Sequence, residues 1–264
     1  MKESEGSDKR LSGEVALITG GSRGIGLATA RKLIEAGAAI APVARDRTVL
    51  DQAARSLSAH GGRALAVIGD VTDPRSIESE VERTVEQLGD VSVLINNAAI
   101  GRYGPVAEQP LDEWRQVLEV NLLGAFYATR AALPAIRARG RGQIVAISST
   151  NGRPTSLPKM TAYCASKAAL EGFMRALSAE VTSEPIRCTT IVPGSTLTDF
   201  GGRTREDRLA SGARFLEPED VADAVLSVPL QSDRAWTPEL VLWPRRGRFS
   251  RSTPSESGPS SFRW

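Results

Sequence analysis

Apolar positions along this 264-residue chain fall into two alternating patterns. Short continuous runs such as Glu14-Val15-Ala16-Leu17-Ile18-Thr19 end in glycines or polar residues. A run of that kind, without polar alternation, suits a strand buried on both faces. Between such runs the apolar residues recur at helical spacing, as with Ile25, Ala28, Leu33 and Ala36, which stop at Gly37. The pattern predicts strands over 14–19, 39–44, 64–68, 91–96, 143–148, 186–192 and 240–243. It predicts helices over 25–36, 47–59, 73–88, 112–137, 161–182 and from 217 to 226. Repeated strand–helix units of this length imply an α/β fold, a doubly wound parallel sheet of about seven strands with helices on both faces. The reading has one domain over 12–244, a flexible N-terminus over 1–11 and a disordered Arg/Ser/Pro tail over 245–264.

Open parallel sheets bind ligands beyond the carboxyl ends of their strands. Glycines and polar residues cluster there: Gly20-Gly21-Ser22, Asp70, Asn96-Asn97, Ser148-Ser149 and Pro193-Gly194. The first cluster reads Thr19-Gly20-Gly21-Ser22-Arg23-Gly24-Ile25-Gly26. Glycines let the backbone approach a phosphate closely, and the helix that follows offers free N–H groups and the positive end of its dipole. A pyrophosphate is the natural occupant. The same residues satisfy GxSxG, the nucleophile elbow of a serine hydrolase at Ser22. That rival needs a histidine and an acid, and only His60 is available.

The second strand ends Pro42-Val43-Ala44-Arg45. A carboxylate at this place would bond the ribose hydroxyls of NAD(H). Ala44 and Arg45 there, with Arg23 in the glycine loop, favour a 2′-phosphate and hence NADP(H).

Tyr163 and Lys167 stand four residues apart, on one face of the 161–182 helix. A phenol is a poor base near neutrality, and a neighbouring positive charge favours its ionised form. Such a pair can give a proton to a carbonyl or take one from an alcohol as hydride moves. Ser149 ends the preceding strand and can hold the reacting oxygen near the phenol. Asn121, an amide on an apolar helical stretch, needs partners and could hold a water chain to Lys167.

Composition narrows the rest. The chain has 33 basic and 31 acidic residues, a formal net charge of +2, which gives no general drive toward nucleic acid or membrane. Cys164 and Cys188 lack metal or disulfide spacing, and one histidine excludes a multi-imidazole metal site. No run approaches the ~18 apolar residues of a membrane span, and the N-terminus lacks the apolar core of a signal peptide. A cytoplasmic setting is the expectation.

These motifs, in this order, resemble the short-chain dehydrogenase/reductase family, classical subfamily, over roughly residues 12 to 226. The resemblance rests on the glycine loop, Asp70-Val71, Asn96-Asn97-Ala98-Ala99, Asn121, Ser149, Tyr163, Lys167, and Pro193-Gly194 with Thr198. It implies a Rossmann-type fold and an oxidoreductase acting on ketones or secondary alcohols, with 3-oxoacyl thioesters or small ketones as candidate substrates. It implies Asn121, Ser149, Tyr163 and Lys167 as catalytic residues, Tyr163 being the acid/base. It implies a cofactor held by Gly20, Ser22, Arg23, Gly24, Ile25, Gly26, Arg45, Asp70, Val71, Asn97, Ala98, Tyr163, Lys167, Pro193, Gly194, Thr196 and Thr198. A cofactor-binding regulator on the same fold is the alternative, favoured only where Tyr163 or Lys167 is missing. Three departures stand out. Ala99 replaces a glycine. The step from Ser149 to Tyr163 is one residue longer than is common, which keeps Ser148 as a second candidate. The end Val241-Leu242-Trp243-Pro244-Arg245 lacks the usual Asp-Gly-Gly. A homodimer through the 112–137 and 161–182 helices is then as reasonable as a homotetramer. Residues 197 to 216 are expected to form a mobile lid. Its arginines 203, 205, 208 and 214 read as a solvated helix face, with attraction of an anionic substrate as the alternative.

Overall fold

A computed structural model describes residues 9–59, 61–153 and 156–245. His60 and the tail beyond 245 lie outside the described residues, as do residues 1–8. Seven strands form one sheet: β1 (Val15–Thr19), β2 (Ala39–Ala44), β3 (Val67–Ile68), β4 (Val93–Asn96), β5 (Gly142–Ile147), β6 (Ile186–Pro193) and β7 (Glu239–Leu242). Their order is β3-β2-β1-β4-β5-β6-β7, and every pairing is parallel. The winding reverses between β1 and β4, so the crevice for a ligand opens there.

Residues of β1 show how the two layers are built. Leu17 faces a core shared with α3 (Pro74–Leu88), α5 (Gly124–Ala138) and α6 (Thr161–Glu180) through Ile77, Ile136 and Leu170. Its neighbours Ala16 and Ile18 face the opposite core, made with α1 (Gly24–Glu35) and α8 (Pro218–Ser227) through Leu33, Ile34 and Val225. Side chains alternate along a strand, so a strand covered on both faces must be apolar throughout. β1, β4 and β5 are buried at every position. Fully burying one Leu or Ile of these layers contributes roughly 1.5–3 kcal/mol.

Local signals set the helix starts. Asp46 caps α2 (Arg47–Ser58) by accepting from the Val49 N–H at 3.1 Å, and Asp73 caps α3 ahead of Pro74. Leu11 is buried, and its N–H donates to the Ala36 carbonyl at 2.8 Å. Packed chain therefore begins ahead of residue 12.

Three elements differ from the pattern. The strand expected over 64–68 shrinks to Val67–Ile68 at the sheet edge, with Ala64 making only a lone bridge to Ile40. The helix expected over 112–137 is broken: α4 (Leu111–Leu118) and α5 are joined by a π turn over Glu119–Leu123. A short helix, α7 (Arg205–Ala210), stands in the expected lid; it buries no residue, so no periodicity announces it.

Candidate active site

The glycine loop is braced from behind. The Thr19 hydroxyl donates to the Ile95 carbonyl and accepts from the N–H groups of Asn97 and Ala98 at 3.0 and 3.1 Å. The Asn97 amide donates to the carbonyls of Thr19 and Gly20 at 2.9 and 3.1 Å. The Asn97 amide nitrogen thereby ties β4 to the loop, and Asn97 lines the cleft. Gly20 and Gly24 adopt φ of +65° and +54°, where a side chain is strained. A Cβ at Gly26 would stand 2.3 Å from the Gly20 carbonyl oxygen, so glycine there lets α1 close on the loop. Arg23 precedes α1 with no side-chain cap, and the first turn holds no acid. The free N–H groups of that turn are left for an anion.

Asp70 sits beyond β3. Its carboxylate accepts from the Thr72 N–H at 2.9 Å and the Thr72 hydroxyl at 2.8 Å. Arg45 pairs with it at 3.6 Å. Burial opposes its ionisation, but these bonds and the Arg45 charge outweigh that and hold the carboxyl below its usual pKa. Val71 packs beside Gly124, where a Cβ would come within 2.9 Å of it.

Tyr163 and Lys167 line the same crevice. Tyr163 is buried, with the rings of Tyr103 and Phe200 edge-on at 6.2 and 5.6 Å. The Ser149 hydroxyl accepts from the Asn151 N–H at 3.2 Å and lines the crevice with Tyr163. Lys167 donates from Nζ to the Ile147 carbonyl at 2.7 Å, and its ammonium is 5.8 Å from the Tyr163 ring centre. Burial pushes the lysine down to about 8, against the pull of Glu171. Burial also raises the phenol, with Tyr103 adding to it and Ser149 opposing it. The sequence suggested that Lys167 would depress the phenol; desolvation by burial is the larger effect here.

Ser148 is committed elsewhere. Its hydroxyl donates to the buried Glu171 at 2.8 Å. Arg153 closes that network, pairing with Glu171 at 3.3 Å and with Glu239 on β7. Asn121 holds the π turn against its neighbours. Its Oδ1 accepts from the Ile100 N–H at 2.8 Å, and its Nδ2 donates to the Ile100 carbonyl and the Ser166 hydroxyl at 3.0 and 3.1 Å. Sequence reasoning gave no role to Ser166, Glu171 or Arg153. A polar residue between Tyr163 and Lys167, and an acid four residues past Lys167, were the available signals.

All these parts meet in one cleft of about 1230 Å³. Gly20, Ser22, Arg23, Gly24, Ile25, Arg45, Asp70, Val71, Asn97, Ala98, Ser149, Tyr163, Lys167, Pro193, Gly194, Thr196 and Thr198 line it. Gly26 and Asn121 stand behind the wall. Thr198 approaches Gly24, where a Cβ would meet its methyl at 3.3 Å, and the Thr196 hydroxyl donates to the Gly194 carbonyl at 3.1 Å. The loop over 197–216 is clamped at its base: the Leu197 N–H donates to Leu216 and the Leu216 N–H to Ser195, at 2.8 and 2.9 Å. Among the described residues no cluster of His, Cys, Asp and Glu could hold a metal, and no helix is long and apolar enough to cross a membrane. Cys164 and Cys188 are free thiols.

Residues 14–209 match the family described as short chain dehydrogenase. A glycine betaine reductase of Emericella nidulans is 35% identical over 89% of this chain, and the chain spans only 19% of that protein. A 2-(S)-hydroxypropyl-CoM dehydrogenase of Xanthobacter autotrophicus is 33% identical, over 86% of this chain and 92% of the relative. A 3-oxoacyl-[acyl-carrier-protein] reductase of Haemophilus influenzae is 32% identical, over 81% and 90%. Among solved structures, a metagenomic short-chain oxidoreductase in complex with NADP superposes with a TM-score of 0.78 at 34% identity, over 90% of this chain and all of that one. Fold, motif order and matched length agree: the chain belongs to the short-chain dehydrogenase family.

Proposed function

We propose that the chain is an NADP(H)-dependent oxidoreductase that interconverts a ketone and a secondary alcohol, with Tyr163 as the proton donor and acceptor. The observation that carries this reading is that Ser149, Tyr163 and Lys167 line one cleft, with the Lys167 ammonium 5.8 Å from the Tyr163 ring centre.

The cleft fits a dinucleotide. A Cβ on Gly20 would come within 3.0 Å of the Ala98 Cα, and α1 presents an uncapped N-terminus between Ser22 and Ile25. Arg23 makes no ion pair among the described residues, and Arg45 is held above Asp70 at the adenosine end. Two guanidinium groups, with Asp46 turned to cap α2, support a 2′-phosphate over free ribose hydroxyls. Bound there, the nicotinamide would supply or accept the hydride.

The protein's own groups handle the proton. A buried, protonated phenol is ready to donate, and Ser149 holds the substrate oxygen beside it. As the carbonyl carbon takes hydride, the oxygen takes the Tyr163 proton, which completes the alcohol. Lys167, charged below about pH 8, stabilises the phenolate that remains. Asn121 holds the π turn against Ile100 and Ser166, next to the path by which a proton returns. The regulator alternative has no observation in its favour, since Tyr163 and Lys167 are both present and share the cleft. The GxSxG reading needs a histidine, and His60, the sole one in the sequence, lies outside the described residues. We further infer that α5 and α6 carry a homodimer face, where Phe126 is exposed and packs on Phe173 at 6.3 Å.

The relatives include reductases of 3-oxoacyl thioesters and dehydrogenases of small alcohols, and both classes belong in the screen. The test is a panel of ketones followed by NADPH absorbance, with NADH in parallel. Oxidation of NADPH by at least one ketone is expected; silence across the panel and across the matching alcohols with NADP would overturn the reading.

A further inference from the structure

The four arginines of the 197–216 loop do not share one solvated face. Arg205 pairs with Glu217 at 3.0 Å, and Arg214 donates to the Arg245 carbonyl at 3.1 Å. Arg203 and Arg208 turn into the cleft, where Lys159 joins them from the loop before α6. None of these three makes an ion pair among the described residues, whereas Arg45 at the far end has Asp70.

We propose that Arg203, Arg208 and Lys159 form a subsite for an anionic group carried by the carbonyl substrate, a carboxylate, sulfonate or phosphate set apart from the reacting carbon. This rests on the reading of Tyr163 given above and deepens it to a substrate class.

The geometry supports it. Arg208 donates from Nη2 to the Phe200 carbonyl at 2.8 Å, and the Phe200 ring packs 5.6 Å from that of Tyr163. Its guanidinium lies 6.0 Å from the Phe215 ring centre. The Nε of Arg208 is buried and has no acceptor among the described residues. Arg208 lines the cleft, so an arriving oxyanion can take the N–H donors of its guanidinium that remain open there. Between phenol and guanidinium the wall is aromatic, formed by Phe200, Tyr103 and Phe215. A short carbon chain would lie along it, carbonyl at Tyr163 and anion at the arginines. The nearby acids make no ion pair with them among the described residues, although Asp207 feels the charge of Arg203. Asp199 lines the cleft, but its Oδ1 accepts from the Arg205 N–H at 2.6 Å. Asp207 is engaged in the cap of α7. The field of Arg208 already reaches the Tyr163 and Tyr103 phenols, which it favours in their ionised forms. This end is distinct from the one with Arg23 and Arg45, so a cofactor phosphate would not occupy it.

The test compares 3-oxobutanoate, 4-oxopentanoate and 5-oxohexanoate with their methyl esters, using the full chain and NADPH. At least one acid should exceed its ester in kcat/KM by about tenfold, as expected for a charged hydrogen bond. That ratio should shrink as sodium chloride is raised, through screening. It should fall toward one in Arg203→Gln/Arg208→Gln. Arg203→Gln alone, at a side chain that makes no hydrogen bond among the described residues, should lower the ratio even if the double variant is unstable. Esters equal to or better than acids throughout, or a ratio unmoved by the substitutions, would overturn the subsite. Equilibrium dialysis of the same acids and esters onto the NADPH-loaded protein separates the two claims. Acid-selective binding lost in the arginine variants supports the subsite even if no compound is turned over, in which case it is the redox reading that fails.

Discussion

Asn121 grips the backbone of Ile100 from both sides, accepting from its N–H at 2.8 Å and donating to its carbonyl at 3.0 Å. The pair locks the π turn between α4 and α5 to the loop after β4, and Ser166 carries the same amide to α6. Asn121→Ala would leave the Ile100 groups without these partners. The expected loss of stability is roughly 2–4 kcal/mol, read from urea unfolding at pH 7, with a fall in kcat. An unchanged midpoint would show that the clamp is redundant.

On the proposed reading Ser149 serves the chemistry and Ser148, bonded to Glu171, the structure. Ser149→Ala should lower kcat/KM by about a hundredfold, within the range for one positioned group in proton transfer. Ser148→Ala should leave Glu171 short of a donor and lower stability by roughly 1–3 kcal/mol, with the smaller effect on kcat. Paired kinetics and thermal melts of the two variants decide the assignment; the opposite ranking would move the role to Ser148.

Lys167 sets the expected pH dependence. Its charge is kept below about pH 8 and lost above it, so kcat/KM for ketone reduction should be level on the acid side and fall as pH rises through that value. The sign for stability is the reverse. The lysine's pKa is depressed on folding, so the folded chain sheds its proton first. Between pH 8 and the unfolded value of 10.5 the unfolded chain binds more protons, and this residue's contribution makes stability rise there. Unfolding of wild type and Lys167→Met compared from pH 7 to 10 checks the direction. A kcat/KM still level at pH 9.5 would contradict the role of the charge.

Much of this was readable along the chain, for a physical reason. Glycines at 20, 24 and 26 are demanded by backbone conformation or close approach, and Tyr163, Lys167 and Ser149 by their chemistry, so each leaves a mark at its own position. What was hidden depends on partners distant in sequence. The π turn follows from Asn121 meeting Ile100 and Ser166, and nothing in the periodicity of 112–137 marks it. Asn97 turned out to brace the loop because Thr19 and Gly20 present their carbonyls to it. The raised phenol of Tyr163 follows from burial under Tyr103 and Phe200, which spacing alone does not reveal. The arginines of 197–216 looked alike in sequence, and only the fold separates Arg205, paired with Glu217, from Arg208 in the cleft.

Arg45 should set cofactor choice. In Arg45→Asp the KM for NADPH should rise by about tenfold or more, as for loss of a charged bond to phosphate, while NADH is less affected. Steady-state kinetics with both cofactors in both proteins gives the answer. Equal preference in wild type and variant would remove Arg45 from the cofactor site.

The most direct test of the whole account is Tyr163→Phe, assayed with NADPH and the best ketone of the panel. The substitution keeps the ring between Tyr103 and Phe200 and removes only the phenolic oxygen. Turnover should fall by at least about a hundredfold, as for loss of a general acid, while NADPH still binds. Turnover near the wild-type rate, with the fold intact, would contradict Tyr163 as the proton donor.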